Sequence, residues 1–273
     1  MPPLTPAASS ASPSRPPSSR DALVLALRAA GCVFAEEEAD LILESAPTAD
    51  AAAAMARRRA AGLPLEHVVG WAEFHALRVG VEPGVFVPRR RTEFLVDQAL
   101  AAAPHASVVV DLCCGSGAVG AALAASLGPI ELHAADIDPV AVDCARRNLA
   151  EYGGHAYAGD LFAPLPARLR GCVDILAANV PYVPTGEVPL LPAEAREHEP
   201  LTALDGGDDG LDVLRRVAAG APQWLAPGGC LLVETSERQA PAAVEAFTRS
   251  GLTVRVARDE ELSAHVILGT RLR

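Results

Sequence analysis

Asn179-Val180-Pro181-Tyr182 stands where the apolar run Val173-Asp174-Ile175-Leu176-Ala177-Ala178 ends. Such a run of six reads as a buried strand, so the tetrapeptide falls on the loop that follows it. An amide or ring amine is a poor nucleophile because its lone pair is delocalised. If the Asn179 side-chain oxygen and the Val180 carbonyl each accept one amino hydrogen, the lone pair is aimed at an electrophilic carbon and charge growing on nitrogen is stabilised. No general base is needed, since the alkylated nitrogen is itself strongly acidic. Pro181 stiffens the turn, and Tyr182 walls the pocket or packs on the planar acceptor. The same residues also suit an ordinary loop, because Asn-x-Pro favours turns. What lies beside them therefore matters.

A second constellation sits earlier in the chain. The apolar run Val108-Val109-Val110-Asp111-Leu112 leads into Cys113-Cys114-Gly115-Ser116-Gly117 and then a helical stretch. Glycines in such a loop let backbone approach a ligand at the positive end of a helix. Gly115-Ser116-Gly117-Ala118-Val119-Gly120 satisfies G-x-G-x-x-G, and Asp136 follows at the distance expected of a ribose-binding acid, so a nicotinamide dehydrogenase is one reading. Asp111 argues for another. A carboxylate four positions before Gly115 repels a pyrophosphate but suits S-adenosylmethionine, a sulfonium that also carries an amino group. Asp136 serves either cofactor.

Composition narrows the field. The 273 residues are 50% hydrophobic, enough for one large core or one core plus a small accessory domain. A net charge of -11 speaks against a protein that tracks a phosphate backbone, and nucleic acid is not the expected substrate. All 23 basic residues are Arg, which removes Schiff-base and P-loop lysine chemistry. The cysteines 32, 113, 114, 144, 172 and 230 form no C-x-x-C pair and the histidines show no ligand spacing, so neither a metal nor a disulfide framework is expected. With only six apolar residues before Arg28, the first apolar segment is too short for a membrane span. A cytoplasmic location without membrane attachment is the expectation.

The elements that must position these residues follow from periodicity. Residues 1–20, almost all Pro, Ser, Ala and Arg, read as a disordered tail. A helical domain is expected over 21–67, with Asp21 capping its first helix and Arg57-Arg58-Arg59 as solvated charge at a helix end. A β-hairpin linker is expected over 68–92, pairing 73–81 with Val85-Phe86-Val87. From 93 to 273, strand and helix patterns alternate, the mark of parallel βαβ units, and 252–257 with 266–270 form an antiparallel edge.

Several further segments resemble one family. Pro88-Arg89-Arg90-Arg91-Thr92-Glu93, Gly159-Asp160-Leu161-Phe162, Glu199-Pro200-Leu201-Thr202-Ala203-Leu204 and Gly206-Gly207-Asp208-Asp209-Gly210-Leu211, with the two constellations above, are similar to the release-factor glutamine N5-methyltransferases of the HemK/PrmC type. The resemblance covers nearly all of the chain after the tail. It implies a five-helix-type N-terminal domain, a hairpin linker and a class I, Rossmann-like methyltransferase domain with a mostly parallel seven-stranded sheet. By the same resemblance, S-adenosylmethionine contacts Asp111, Cys113, Cys114, Gly115, Ser116, Gly117, Asp136, Asp160, Leu161 and Asn179. Asn179, Val180, Pro181 and Tyr182 would hold the glutamine of a Gly-Gly-Gln loop in peptide chain release factors.

Three positions depart from the family pattern. Cys113 replaces the first glycine of the loop, Arg90 and Arg91 replace Pro and Glu, and Val180 replaces the first proline of N-P-P-Y. The Val180 carbonyl survives that change, since every residue supplies one. A nucleic-acid amino-methyltransferase of the adenine N6 type and a non-catalytic cofactor-binding paralogue are the alternatives from other classes.

Overall fold

The computed structural model describes residues 19–272. Contacts divide the chain into two units, Met1–Gly62 and Leu63–Arg273. The expected disordered tail lies outside the described residues apart from its last two, which are helical.

Three helices form the first unit among the described residues: α1 (Ser19–Ala29), α2 (Ala35–Ser45) and α3 (Ala49–Ala60). Each turns a short apolar stripe inward, including Leu23, Val24 and Leu27, then Ala39 and Ile42, then Ala52 and Ala56. Asp21 lies within the first turn of α1 and does not cap it; its charge still suits the positive helix end. Thr48 caps α3, its hydroxyl accepting from the Ala51 N–H at 3.2 Å. Arg59 is not solvated helix-end charge. Its side chain is 11% exposed and forks onto Glu38 at 2.7 and 3.0 Å, so part of the Arg triplet serves packing between helices.

The second unit opens with the short helix α4 (Leu65–Val69) and a hairpin of β1 (Trp71–Phe74) and β2 (Leu77–Gly80). This hairpin differs from the expected one. The chain reverses at His75-Ala76, with φ of +48° and +60°, so two strands occupy the span read as one. Neither residue is the Asn or Gly that such a turn favours, which hid it from the pattern. Val85 and Val87 instead pack with Ala72, Val81, Ala141 and Cys144 in a small satellite cluster.

After α5 (Glu93–Ala102) come β3 (Val108–Leu112), α6 (Ala118–Leu127), β4 (Glu131–Asp136), α7 (Pro139–Leu149), β5 (His155–Ala158), β6 (Val173–Ala178), α8 (Ala193–His198), α9 (Asp212–Gly220), β7 (Leu225–Thr235), α10 (Ala240–Arg249), β8 (Leu252–Asp259) and β9 (Ala264–Arg271). The sheet order is β5-β4-β3-β6-β7-β9-β8, parallel from β5 to β7, with β9 antiparallel to both neighbours. Strands covered on both faces carry near-continuous apolar runs, and β3 and β6 are buried along almost their whole length. The order reverses at β3: β4 and β5 lie to one side, β6 and β7 to the other. Open parallel sheets bind ligands in the crevice outside the strand carboxyl ends at such a point. Asp111, Asp136 and Asn179 all stand there. Among the described residues, no helix is long and apolar enough to cross a membrane.

Candidate active site

A cavity of about 700 Å³ opens at the carboxyl ends of β3, β4 and β6, and every residue lining it belongs to the second unit. At one end lies the glycine loop. Asp111 is 1% exposed and accepts from the Gly120 N–H at 2.9 Å, which ties the end of β3 to the first turns of α6. Burial pushes its carboxyl up to about 7, and nearby Asp136 adds to the rise. Asp136 accepts from the N–H groups of Gly115 and Asp138, each at 2.9 Å, and burial raises its pKa also. Asp138 caps α7 through the Val140 N–H at 2.8 Å, with Pro139 in the first turn. Asp160 reaches Arg216 of α9 at 2.5 Å.

Gly115 has φ +54°, and a Cβ built on it meets no atom within 4 Å. Its missing side chain thus leaves open space at the cavity wall, a cradle for a ligand. Cys113 adopts φ +54° as well, in the left-handed region where a Cβ is strained by about 1–2 kcal/mol. The residue that departs from the family glycine therefore keeps the glycine conformation. Its thiol is pushed upward by burial and by the neighbouring acids, so it is a protonated packing group.

At the other end stands the tetrapeptide. Asn179 donates from Nδ2 to Thr92 Oγ1 at 3.4 Å, while its Oδ1 is buried and has no hydrogen-bond partner. Leaving a buried acceptor unmet costs about 1–3 kcal/mol. Asn179 lines the cavity, and its Oδ1 is an acceptor left unmet there. Val180 is buried in the core beneath, and Pro181 and Tyr182 line the wall. The Tyr182 hydroxyl donates to Glu234 Oε1 at 3.3 Å and accepts from Arg91, whose guanidinium carbon lies 5.7 Å from the ring centre. Burial, reinforced by Glu234, pushes the phenol up to about 12.

Remote segments clamp this end. Gly206 donates to the Val183 carbonyl at 2.8 Å, and a Cβ on Gly206 would stand 2.6 Å from the Pro181 carbonyl oxygen. Only a glycine lets this loop rest on the tetrapeptide backbone. Gln239 donates to the carbonyls of Tyr182 and Asp209 at 2.8 and 2.9 Å, tying the same two strands of chain together. Arg89 forks onto the buried Glu199 at 2.7 and 2.6 Å, and Glu199 also accepts from the Val87 N–H at 3.1 Å. The segment after the hairpin is thereby fastened to the segment after α8.

The expected site residues from Asp111 through Tyr182 line one cavity, with the exception of Gly117, which caps α6 at φ +79° and faces Ala145 and Leu149 of α7. Sequence reasoning did not single out Thr92, Glu234, Gln239 or Arg216. Thr92 lay inside a quoted motif, but nothing local marked its partner; Glu234 and Gln239 act across more than fifty positions. Among the described residues, no group of three or more His, Cys, Asp or Glu is placed to hold a metal ion.

Residues 76–188 match the family model of the methyltransferase small domain. A release factor glutamine methyltransferase of Geobacter sulfurreducens is 40% identical over 196 residues, spanning 71% of this chain and 68% of the relative. The chain belongs to the release factor glutamine methyltransferase family. A second member, from Mycolicibacterium smegmatis, is 42% identical over 195 residues, 71% of this chain and 69% of its own. A methyltransferase of Pyrococcus furiosus aligns with a TM-score of 0.55 at 16% identity, covering 72% of this chain and 90% of that one, which speaks to the class I methyltransferase fold. Family membership replaces the dehydrogenase reading, and the cavity agrees: Asp111, Asp136, Asp138 and Asp160 line its glycine-loop end, a setting adverse to a pyrophosphate and favourable to a cation.

Proposed function

We propose that this protein methylates the side-chain amide nitrogen of a glutamine in peptide chain release factors, with S-adenosylmethionine as the methyl donor. The observation that carries the reading is the buried, partnerless Oδ1 of Asn179 on the cavity wall. A glutamine amide entering the cavity offers the donor this oxygen lacks. Thr92 accepts from Nδ2 and so keeps Oδ1 turned away from its own contact. With the Val180 carbonyl taking the second hydrogen, the amide is held planar, and its lone pair faces the glycine-loop end. When bound there, S-adenosylmethionine supplies an electrophilic methyl group on a positively charged sulfur. The chain's own residues then do three things: align the nitrogen, stabilise its growing positive charge, and let its proton pass to water after alkylation.

At the glycine-loop end, Asp136 would accept from ribose hydroxyls, while Asp160 and Leu161 would flank the adenine. Cys113, Cys114, Gly115 and Ser116 would cradle the remainder, with Gly117 shaping the turn into α6 behind them and Asp111 as the acid closest to its cationic part. The ligand's sulfonium and ammonium outweigh its one carboxylate, so an ionised Asp111 near them favours the ligand, and the ligand favours ionised Asp111. The reaction belongs to the cytoplasm, where all six cysteines, free thiols here, stay reduced.

The test is to incubate the protein with labelled S-adenosylmethionine and, separately, release factors, bulk RNA and DNA, then locate the label by mass spectrometry. Label on a release-factor glutamine is the expected result. Label confined to nucleic acid would overturn it in favour of an amine on a base, and cofactor binding without transfer to any of them would favour a non-catalytic paralogue.

A further inference from the structure

Glu234 is 2% exposed at the carboxyl end of β7, and its charge is met by one cation. Arg91 Nε lies 3.0 Å from Glu234 Oε1, and the same guanidinium donates to the Tyr182 hydroxyl. Tyr182 in turn donates to Glu234 Oε1 at 3.3 Å. The three side chains thus close a triangle whose corners come from the segment after the hairpin, the tetrapeptide and a central strand. Glu234 Oε2 is buried without a partner, so Arg91 and Tyr182 carry the whole of its hydrogen bonding. Arg91 is one of the residues that depart from the family pattern, and the departure has a local complement in Glu234.

A buried carboxylate left unpaired is strongly destabilising, which gives Arg91 a structural role. The geometry gives it a second one. A tyrosine ring swings about two torsions, and the contacts of its hydroxyl help to fix its far end. Here that end is held by the Arg91 guanidinium as a charge-assisted donor, with Glu234 Oε1 as a longer acceptor at 3.3 Å. Tyr182 lines the cavity three residues after Asn179, whose Oδ1 is partnerless, so both side chains border the same cavity.

We propose that Arg91 is a positioning residue for the methyl acceptor: with Glu234 it locks the Tyr182 ring against the slot that receives the planar amide. This rests on the tetrapeptide being the acceptor site. Arg91 lines the same cavity, and the role assigned to it is exerted through Tyr182.

The full-length protein is compared with Arg91→Ala, Glu234→Gln and Arg91→Ala/Glu234→Gln. Measured are the thermal midpoint, S-adenosylmethionine affinity by calorimetry, kcat and KM toward a release factor, and the NMR signals of ¹³C-labelled tyrosine, of which the chain has three. Arg91→Ala lowers the midpoint, and the double variant recovers that of Glu234→Gln because no charged group remains buried alone. Relative to Glu234→Gln, the double variant still loses kcat/KM for the release factor on the order of tenfold, chiefly in KM, with cofactor affinity changed less than about twofold. Its Tyr182 signal shifts away from the position seen in Glu234→Gln.

If the double variant regains kcat/KM together with its midpoint, Arg91 merely neutralises Glu234 and the proposal falls. A parallel loss of cofactor affinity, or an unmoved Tyr182 signal, overturns it equally. Should the unaltered protein transfer nothing to a release factor, the acceptor reading fails, while the tyrosine signal still decides whether Arg91 holds the ring.

Discussion

The two ends of the cavity are built by different means. At the glycine-loop end, Asp111 finds its partner in Gly120, nine positions away, and Asp136 finds Gly115, 21 positions away. At the tetrapeptide end, Asn179 reaches Thr92 across 87 positions and Tyr182 reaches Arg91 across 91. The first is a strand, turn and helix start that almost any parallel βαβ unit can form. The second exists only when the post-hairpin segment, β7 and the glycine-rich loop have all arrived. The glycine-loop end also satisfies Asp111 and Asp136 with its own backbone, whereas the tetrapeptide end leaves Asn179 Oδ1 unmet. A local, self-satisfied frame and a remotely assembled, unsatisfied slot are what a general cofactor site and a selective acceptor site require.

If the two ends are separable, each should break in its own way. The largest effect is expected from Asn179→Ala: turnover falls by on the order of a thousandfold or more, because the acceptor that aligns the amide and stabilises its charge is gone. Asp136→Ala should weaken S-adenosylmethionine binding by roughly 10- to 100-fold, the scale of one or two hydrogen bonds to a charged group, as read by calorimetry.

Asp111→Asn sharpens the comparison through pH. The native carboxyl titrates near 7 against an ordinary value of 3.8, so the folded state holds this proton more tightly than the unfolded chain does. Its contribution to stability is present in full below 3.8 and is lost as pH rises through about 7. Thermal midpoints of the unaltered protein should therefore fall between about pH 4 and 7 more steeply than those of Asp111→Asn. Cofactor affinity should run the other way and rise over the same window, as the carboxylate ionises.

The smallest effect concerns Cys113. At φ +54° an alanine keeps the strain and a glycine removes it. Cys113→Gly should thus be more stable than Cys113→Ala by about 1 kcal/mol, the reverse of the order found in helices and strands. Denaturant midpoints of the two variants check this.

The same contrast accounts for what could be read from the chain. β3, β6 and the loop between β3 and α6 were legible because an apolar run, an acid and two glycines lie within ten residues. The tetrapeptide was legible as chemistry, but what holds it was not: Arg91, Glu234 and Gln239 carry no local pattern that announces a partner. β5 carries little pattern of its own, since only four residues, one of them His155 on the sheet edge, form it. The hairpin was misplaced because the turn at His75-Ala76 uses positive φ without glycine or asparagine. The satellite cluster of Val85 and Val87 mimicked the missing strand. Cys113 showed as a departure from a family glycine, but its retained left-handed backbone is a fact of conformation that no residue type states.

The separation of the two ends is tested most directly by measuring S-adenosylmethionine affinity in Asn179→Ala and Asp136→Ala side by side. The cavity predicts that Asn179→Ala, though inactive, binds the cofactor within a few-fold of the unaltered protein, while Asp136→Ala binds it far more weakly. Equal loss of affinity in both variants would contradict the account, because it would mean that Asn179 holds the cofactor and not the methyl acceptor.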